Sequence, residues 1–539
     1  MTSHMTPHSR KTLILSALGV VILATTGVVA AAATRPSATK SVPAASLQIA
    51  FTAVAFVTRE AGPTSVDVVL SRPSPTGVTF TVHVTAGTAS TTAGAFPADV
   101  GADDIAVNVA AGARRVAIPI PVNNDTLAEP DETVTLTLTK VTNAAVAAGR
   151  GSSTLTIVDD DRKALADVRA TGAKGDGVSD DTAAVQRAVD AVAKAGGGVV
   201  VFPAGTYVVR SVSIKPGITY QGYDGATILR PPNQDKWTRT FTTENAPYEG
   251  DVDSAPLVVR GLIFDGNSGA QGTYKGYEKE QAHLLFLNAS PKRTGRLVSV
   301  VEGVTFRNGV ADGVSTYTNT DTRVVNVRGE NVFRGAVVLT GGNSKLSVDG
   351  LVTVGTNDAT GVDVEVDAPG FGNTKKVWVT MANMDLESDF DVAVADGSEV
   401  VIHDVISRRP PFYLSNYAST TTITNSSFAV GGADQYANRI VYAGNLTFDR
   451  VKFVVAADTA KNPRTEFYGL DLWWSHPSGP KAGPQSVNLI NSTFVVEGQP
   501  SPLRGILNRY RVQDRDTLTT TGTTFAAAFG PTPISDAGS

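Results

Sequence analysis

Short apolar runs with a two-residue period recur from Leu165 to the end of the chain, separated by Gly, Asn and Asp. One stretch departs from that rhythm, Asp167–Arg210, which reads DVRATGAKGDGVSDDTAAVQRAVDAVAKAGGGVVVFPAGTYVVR. Within it Val185, Ala188, Val189 and Val192 recur at helical spacing and form one apolar stripe. Ser179 or Asp180 serves as N-cap, with Asp180 and Asp181 acidic at the start, so a helix is predicted over 179–195. Gly196-Gly197-Gly198 releases the chain from it. Val199–Phe202 and Tyr207–Val209 follow as short buried strands around the turn Pro203–Thr206. A short amphipathic helix of this kind covers the open end of a stack of strands, which would otherwise expose unpaired backbone groups.

After this cap, short strands repeat every ~20–36 residues, the mark of a solenoid. The strands expected on one face begin at His283, Gly313, Gly335, Gly361, Asp391, Phe412, Arg439, Tyr468 and Gly505, with further strands between them for the other faces. Asn308, Asn326, Asn331, Asn425 and Asn491 fall at coil turns, where Asn accepts left-handed backbone and forms side-chain ladders. Residues 47–161 carry a different pattern: alternating strands at Ser65–Leu70, Val78–Thr85, Arg115–Pro121, Thr133–Leu138 and Ser153–Val158. Their regular turn spacing predicts an antiparallel sandwich with acidic clusters at the strand ends.

Composition narrows the classes. The 539 residues contain no Cys, which excludes disulfides and thiol chemistry, and the net charge of −5 argues against nucleic-acid binding. Residues 1–33 read as a secretion signal, with Arg10 and Lys11 before an apolar run and small residues at Ala30–Ala33. Residues 34–46 read as a Pro/Ser/Thr linker. The expected product is a secreted or cell-surface protein with no membrane contact after cleavage.

The pieces GAKGDGVSDDTAAVQRAVDAV, GGGVVVFPAGTYVV and Gly261–Asn267 (GLIFDGN) closely resemble the N-terminal cap and first coils of the pectate-lyase-like right-handed parallel β-helix superfamily. That resemblance implies an all-β parallel β-helix over 162–539. It is poor guidance to the reaction, because the superfamily holds lyases, glycosidases, epimerases and non-catalytic fibres. Thr58–Gly62, Ala86–Ala89, Asn124–Thr133 and Thr156–Asp161 resemble a Calx-beta domain. In that family carboxylates at one end of the sandwich bind Ca²⁺, which by position implies Glu60, Asp125, Glu129, Asp159, Asp160 and Asp161 as ligands here. Ala86 stands where the family has Asp.

The motif Gly361-Val-Asp-Val-Glu-Val-Asp367 is the most informative for chemistry. Its alternation turns Val362, Val364 and Val366 inward and aligns Asp363, Glu365 and Asp367 outward, neighbours ~6.6 Å apart. Such crowding raises at least one carboxyl pKa, and a protonated acid beside an ionised one is what glycosidic cleavage needs. Asp391, one coil on, is expected ~4.8 Å along the axis from this row. Asp312 is expected at the groove edge and Asp471 in the outward column of Asp363. Tyr317, Tyr413 and Trp473 offer flat apolar surface to sugar rings, whereas Trp474 reads as core. Arg409, with Arg408, offers a grip for a carboxylate. His283, His403 and His476 have no metal-binding spacing.

These residues predict a glycoside hydrolase acting on a polysaccharide in a lateral groove, with Asp363, Glu365 and Asp391 catalytic and no cofactor needed for hydrolysis. The rival is a Ca²⁺-dependent uronate lyase in which Arg409 or His403 removes the proton. A third reading is a non-catalytic glycan-binding or adhesion protein.

Overall fold

In the computed structural model the described residues are 46–539, less 61–63, 88, 90, 92–98, 126–128, 130, 162–163, 224, 244–255, 273–280, 290–294, 356–359, 367–375, 410–411, 431–438, 443, 457–466, 475–483, 499–502, 510–514 and 537–539. The leader at 1–33 and nearly all of the linker at 34–46 lie outside them, as does Asp367. Among the described residues no helix is long and apolar enough to cross a membrane.

Among the described residues, the strands between Gln48 and Val158 pair with one another in a four-stranded and a five-stranded sheet around a core that includes Phe51, Val66, Phe80, Val82, Leu136 and Ile157. The sandwich is mixed and not purely antiparallel as expected. Gln48–Phe51 runs parallel to Ala145–Val146, and Ala55–Arg59 parallel to Ser152–Val158. These additional strands are short or polar along one side, so the alternation that marked the longer strands is weak in them.

Among the described residues from Leu165 on, every strand pairing is parallel, with 24 strands in one ladder and 12 in a second sheet. A single coil shows the repeat: Val314–Thr316 lies in the 12-stranded sheet, Thr320–Val325 and Arg328–Glu330 in the ladder, and Gly335–Leu339 returns to the first sheet one level up. Asn308, Asn326, Asn331, Asn425 and Asn491 all take positive φ at the corners. Asn343 donates to Asn319 one coil below at 2.7 Å, a rung of the expected Asn ladder. Coil length varies: the coil from Phe241 to Leu285 is longer than the repeat expected from the sequence.

The interior is apolar and ordered in columns. Phe264 stacks on Phe306, and Phe453 on Phe494 and then Phe525, with centroids 4.7–5.5 Å apart. Phe264, Phe306, Phe453 and Phe494 are fully buried, and each such ring contributes about 1.5–3 kcal/mol relative to exposure. The cap helix is Thr182–Lys194, beginning later than expected. The segment Asp176–Asp180 is a strand, and Asp181 spends its carboxylate on the Lys174 and Gly175 amides. The helix buries Val185, Ala188, Val189 and Val192, the stripe read from the sequence. Gly198 leaves it at φ +135°, and a Cβ there would sit 2.0 Å from the Ala164 carbonyl oxygen, so only glycine fits.

Candidate functional site

The outer face of the 12-stranded sheet carries the candidate chemistry. In Thr360–Glu365 the alternation holds: Val362 and Val364 point into the core, while Asp363 and Glu365 face outward. Asp363 stands in register with Asp391 on the next strand, and Asp391 with Tyr413 on the one after. The same column continues through Arg439 to Asp471 and Leu507. A parallel column runs from Glu365 through Ala393, Ser415 and Val441 to Trp473 and Arg509. The register thus brings Asp363, Glu365, Asp391, Tyr413, Asp471 and Trp473 onto one face.

Arg334, absent from the sequence reading, organises the acidic part. It precedes the strand Gly335–Leu339 and reaches across the next coil. Its Nη2 lies 3.1 Å from Asp363 Oδ2 and also pairs with Glu365, and its Nη1 lies 3.8 Å from Asp312 Oδ2. Beneath that arginine Asp363 is only 3 % exposed, and its Oδ1 has no hydrogen-bond partner. Burial pushes the Asp363 carboxyl well above the usual carboxylate range. Arg334 pulls the other way without offsetting it, and Asp391, Glu365 and Asp312 push it further up. Glu365 keeps 43 % of its side chain in solvent.

Two sequence expectations need correction here. Asp312 is not at a groove edge: it is fully buried, its Oδ2 2.9 Å from His283 Nδ1, because the chain preceding Val314–Thr316 turns it beneath the surface. Arg408 and Arg409 do not form a joint grip. Arg408 holds Asp385 with two bonds of 2.9 and 2.7 Å, and both arginines are exposed. His403 stands on the 24-stranded ladder beside Asp404, on another wall from Asp363. The lyase reading therefore loses that residue as its base.

The aromatic residues divide. Tyr317 packs against Phe286 at 4.8 Å and on the edge of His283, and burial raises its hydroxyl pKa. Phe286 in turn lies under the Arg239 guanidinium at 3.7 Å. Tyr413 is half-buried beside Asp391. Trp473 is half-buried on the outer face with the Arg439 guanidinium 4.1 Å from its ring centre, so a cation already covers one face of that platform. Trp474 is core, as expected, its indole donating to Asn508. Asp471 is buried and paired with Arg509 at 2.7 Å.

A second acidic centre lies at one end of the sandwich. One oxygen from each of Glu60, Asp99 and Glu129 lies within 4.8 Å of the others, and the same holds for Glu60, Asp160 and Asp161. Asp125 and Asp159 stand near enough to raise Glu60, whose pKa burial pushes up to about 8. Glu60 Oε2 and Asp161 Oδ2 are buried without a hydrogen-bond partner. Clustered, orphaned carboxylate oxygens fit a hard divalent cation. All six expected ligands thus gather at this end. Asp99, which lies outside the matching motifs, and the buried Glu132, which lies within one, join them.

Residues 165–272 match the family described as rhamnogalacturonase A/epimerase, pectate lyase-like. Mannuronan C5-epimerase AlgE1 of Azotobacter vinelandii is 36% identical over 124 residues, 20% of this chain and 9% of that protein. Alginate lyase 7 of the same organism is 33% identical over 121 residues, 20% of this chain and 14% of that protein. The chain therefore spans about a tenth of the length of the curated relatives it matches. Among solved structures, the A-module of the A. vinelandii mannuronan C-5 epimerase AlgE6 aligns with TM-score 0.44 at 17% identity, over 69% of this chain and all of that one. The apo form of the Calx CBD1 domain aligns with TM-score 0.19 at 22% identity, over 21% of this chain and 98% of that one. The segment 165–272 matches that pectate-lyase-like family, and the strand order from Leu165 on is that of a parallel β-helix preceded by a β-sandwich.

Proposed function

We propose that this chain is a secreted polysaccharide-active enzyme, a glycoside hydrolase whose paired carboxylates are Asp363 and Asp391. The observation that carries the reading is the state of Asp363. It is buried with a raised pKa, has an Oδ1 without a partner, and stands in register with a second carboxylate. A carboxyl group whose pKa is raised by burial holds its proton more tightly than a free carboxyl and can donate it to the leaving glycosidic oxygen while the bond from that oxygen to the anomeric carbon breaks. Asp391 supplies the second carboxylate, which activates water or attacks the anomeric carbon. Glu365 is the outer anchor of Arg334, and Tyr413 flanks the reacting sugar. Substrate reaches Asp363 once Arg334 swings aside, for which Glu365 offers a solvent-exposed perch.

A second reading, a uronate lyase, draws on the name of one matched relative, alginate lyase 7, and on Arg334 beside the acids. Digestion of a panel of neutral and uronic polysaccharides separates the two. Saturated reducing ends support hydrolysis, unsaturated ends absorbing in the ultraviolet support a lyase, and binding without any product supports an adhesion protein. At the other end of the chain, the carboxylates around Glu60 would hold a divalent cation such as Ca²⁺, a structural role separate from the hydrolytic site.

A further inference from the structure

The acidic end of the sandwich meets the β-helix, and an arginine of the β-helix enters it. Arg260 closes the strand Leu257–Arg260 and keeps 18 % of its side chain exposed. Its Nη1 lies 2.6 Å from Glu129 Oε1 and 3.5 Å from Glu132 Oε1. Its Nε lies 2.8 Å from Glu302 Oε2, on the strand paired with its own. Glu302 thus holds the guanidinium from the β-helix side while the sandwich acids take the other edge.

Glu129 belongs to two groupings at once. It is the partner of Arg260, and it is one of the three carboxylates, with Glu60 and Asp99, whose oxygens lie within 4.8 Å of one another. Glu60, in the middle of the cluster, is 4 % exposed and its Oε2 has no hydrogen-bond partner. A hard cation draws carboxylate oxygens to about 2.3–2.6 Å. Drawing in Glu129 either pulls it from Arg260 or brings the ion close to the guanidinium, and both oppose binding.

We propose that Arg260 is a tethered counter-cation for this cluster, competing with a divalent cation for Glu129, so that cation binding and the attachment of the sandwich to the β-helix weaken one another. This rests on the reading that the acidic end takes a divalent cation. Linkage makes the effect reciprocal: whatever affinity Arg260 removes from the ion, the ion removes from the Arg260 contact. Apart from its hydrogen bonds, the arginine neutralises buried acids that would otherwise repel one another. The junction is therefore tightest when the cation is scarce.

The test is calorimetric titration of the full chain with Ca²⁺ alone, in wild type, Arg260→Gln and Arg260→Lys. Arg260→Gln is expected to bind Ca²⁺ about tenfold more tightly than wild type and to gain more in melting temperature from added Ca²⁺. Arg260→Lys keeps the charge but loses the fork that reaches Glu129 and Glu302 together, and is expected to bind about threefold more tightly. Should Arg260→Gln not fold, the lysine variant decides alone. Equal or weaker Ca²⁺ binding in the folded variants overturns the competition while leaving the cation site standing. No heat of binding in any of the proteins overturns the competition and the cation reading together.

Discussion

Asp363 and Asp391 stand opposite each other on adjacent strands of the 12-stranded sheet, side chains on its outer face, and Arg334 lies across the first of them. Adjacent strands are ~4.8 Å apart, so the two carboxyl groups are close enough to repel if both ionise. Burial pushes the Asp363 carboxyl well above the usual carboxylate range, and Asp391 adds to that push. Asp363→Asn keeps the shape and removes the transferable proton. It is expected to lower kcat by about 10²–10⁴-fold with little change in KM, read as release of reducing ends. Glu365→Gln loosens Arg334 without removing a reacting group and is expected to cost less than Asp363→Asn.

The same proton sets a dependence of stability on pH. Asp363 has a folded pKa above its unfolded value near ~3.9, so between the two the folded protein binds the extra proton. The stabilisation is complete below ~pH 4 and is lost as pH rises through the folded pKa. Asparagine mimics the protonated acid. The melting temperature of Asp363→Asn is therefore expected to match wild type at about pH 4 and to exceed it above neutrality. Other raised carboxyls, such as Glu60, titrate in both proteins and cancel in the comparison. Parallel melting curves across the range would remove Asp363 as the protonated partner.

Arg334 ties Asp312, Asp363 and Glu365 from one guanidinium, and its side chain is mostly buried. Breaking a buried pair from one side costs about 3–5 kcal/mol, because the remaining charge is stranded. Arg334→Ala is expected near the lower end of that range, since Asp363 can take up a proton instead. Urea unfolding should show a larger cost at pH 8 than at pH 5. Adding Asp363→Asn should recover much of the loss at pH 8. Adding Glu365→Gln should recover little, since that carboxylate already has water.

The fold was legible because its rules are local. Helical spacing at Val185–Val192, the strict alternation at 361–366 and asparagines at coil corners each report a backbone state without knowledge of distant residues. The face that collects Asp363, Glu365, Asp391 and Asp471 could also be read, since alternation fixes inside from outside. What escaped depends on register between coils of unequal length. Arg334 lies in a turn with no motif, and only its position one coil below Asp363 makes it part of the site. Arg260 escaped for the same reason: its partners Glu129 and Glu132 lie in the sandwich. Asp312 was misplaced because alternation says nothing of a residue just before a strand begins.

Trp473 offers a prediction that depends on distance along the column. From Asp391 the register passes Tyr413 and Arg439 before reaching the strand of Asp471 and Trp473, three strand spacings or ~14 Å. A short oligosaccharide cut at Asp363 ends before that strand, while a longer chain lying along the sheet extends over it. One face of the indole is occupied by Arg439, so a sugar contacts the ring edge and the guanidinium together. An aromatic contact is worth about 0.5–1.5 kcal/mol, or about 2–12-fold in affinity. Trp473→Ala is therefore expected to raise KM by that factor for long substrates, leave kcat unchanged, and leave both constants unchanged for the shortest substrate that is cut. Equal effects on short and long substrates would mean that the residue supports the coil and not the ligand. That outcome would confine the groove to the coils between Arg334 and Tyr413.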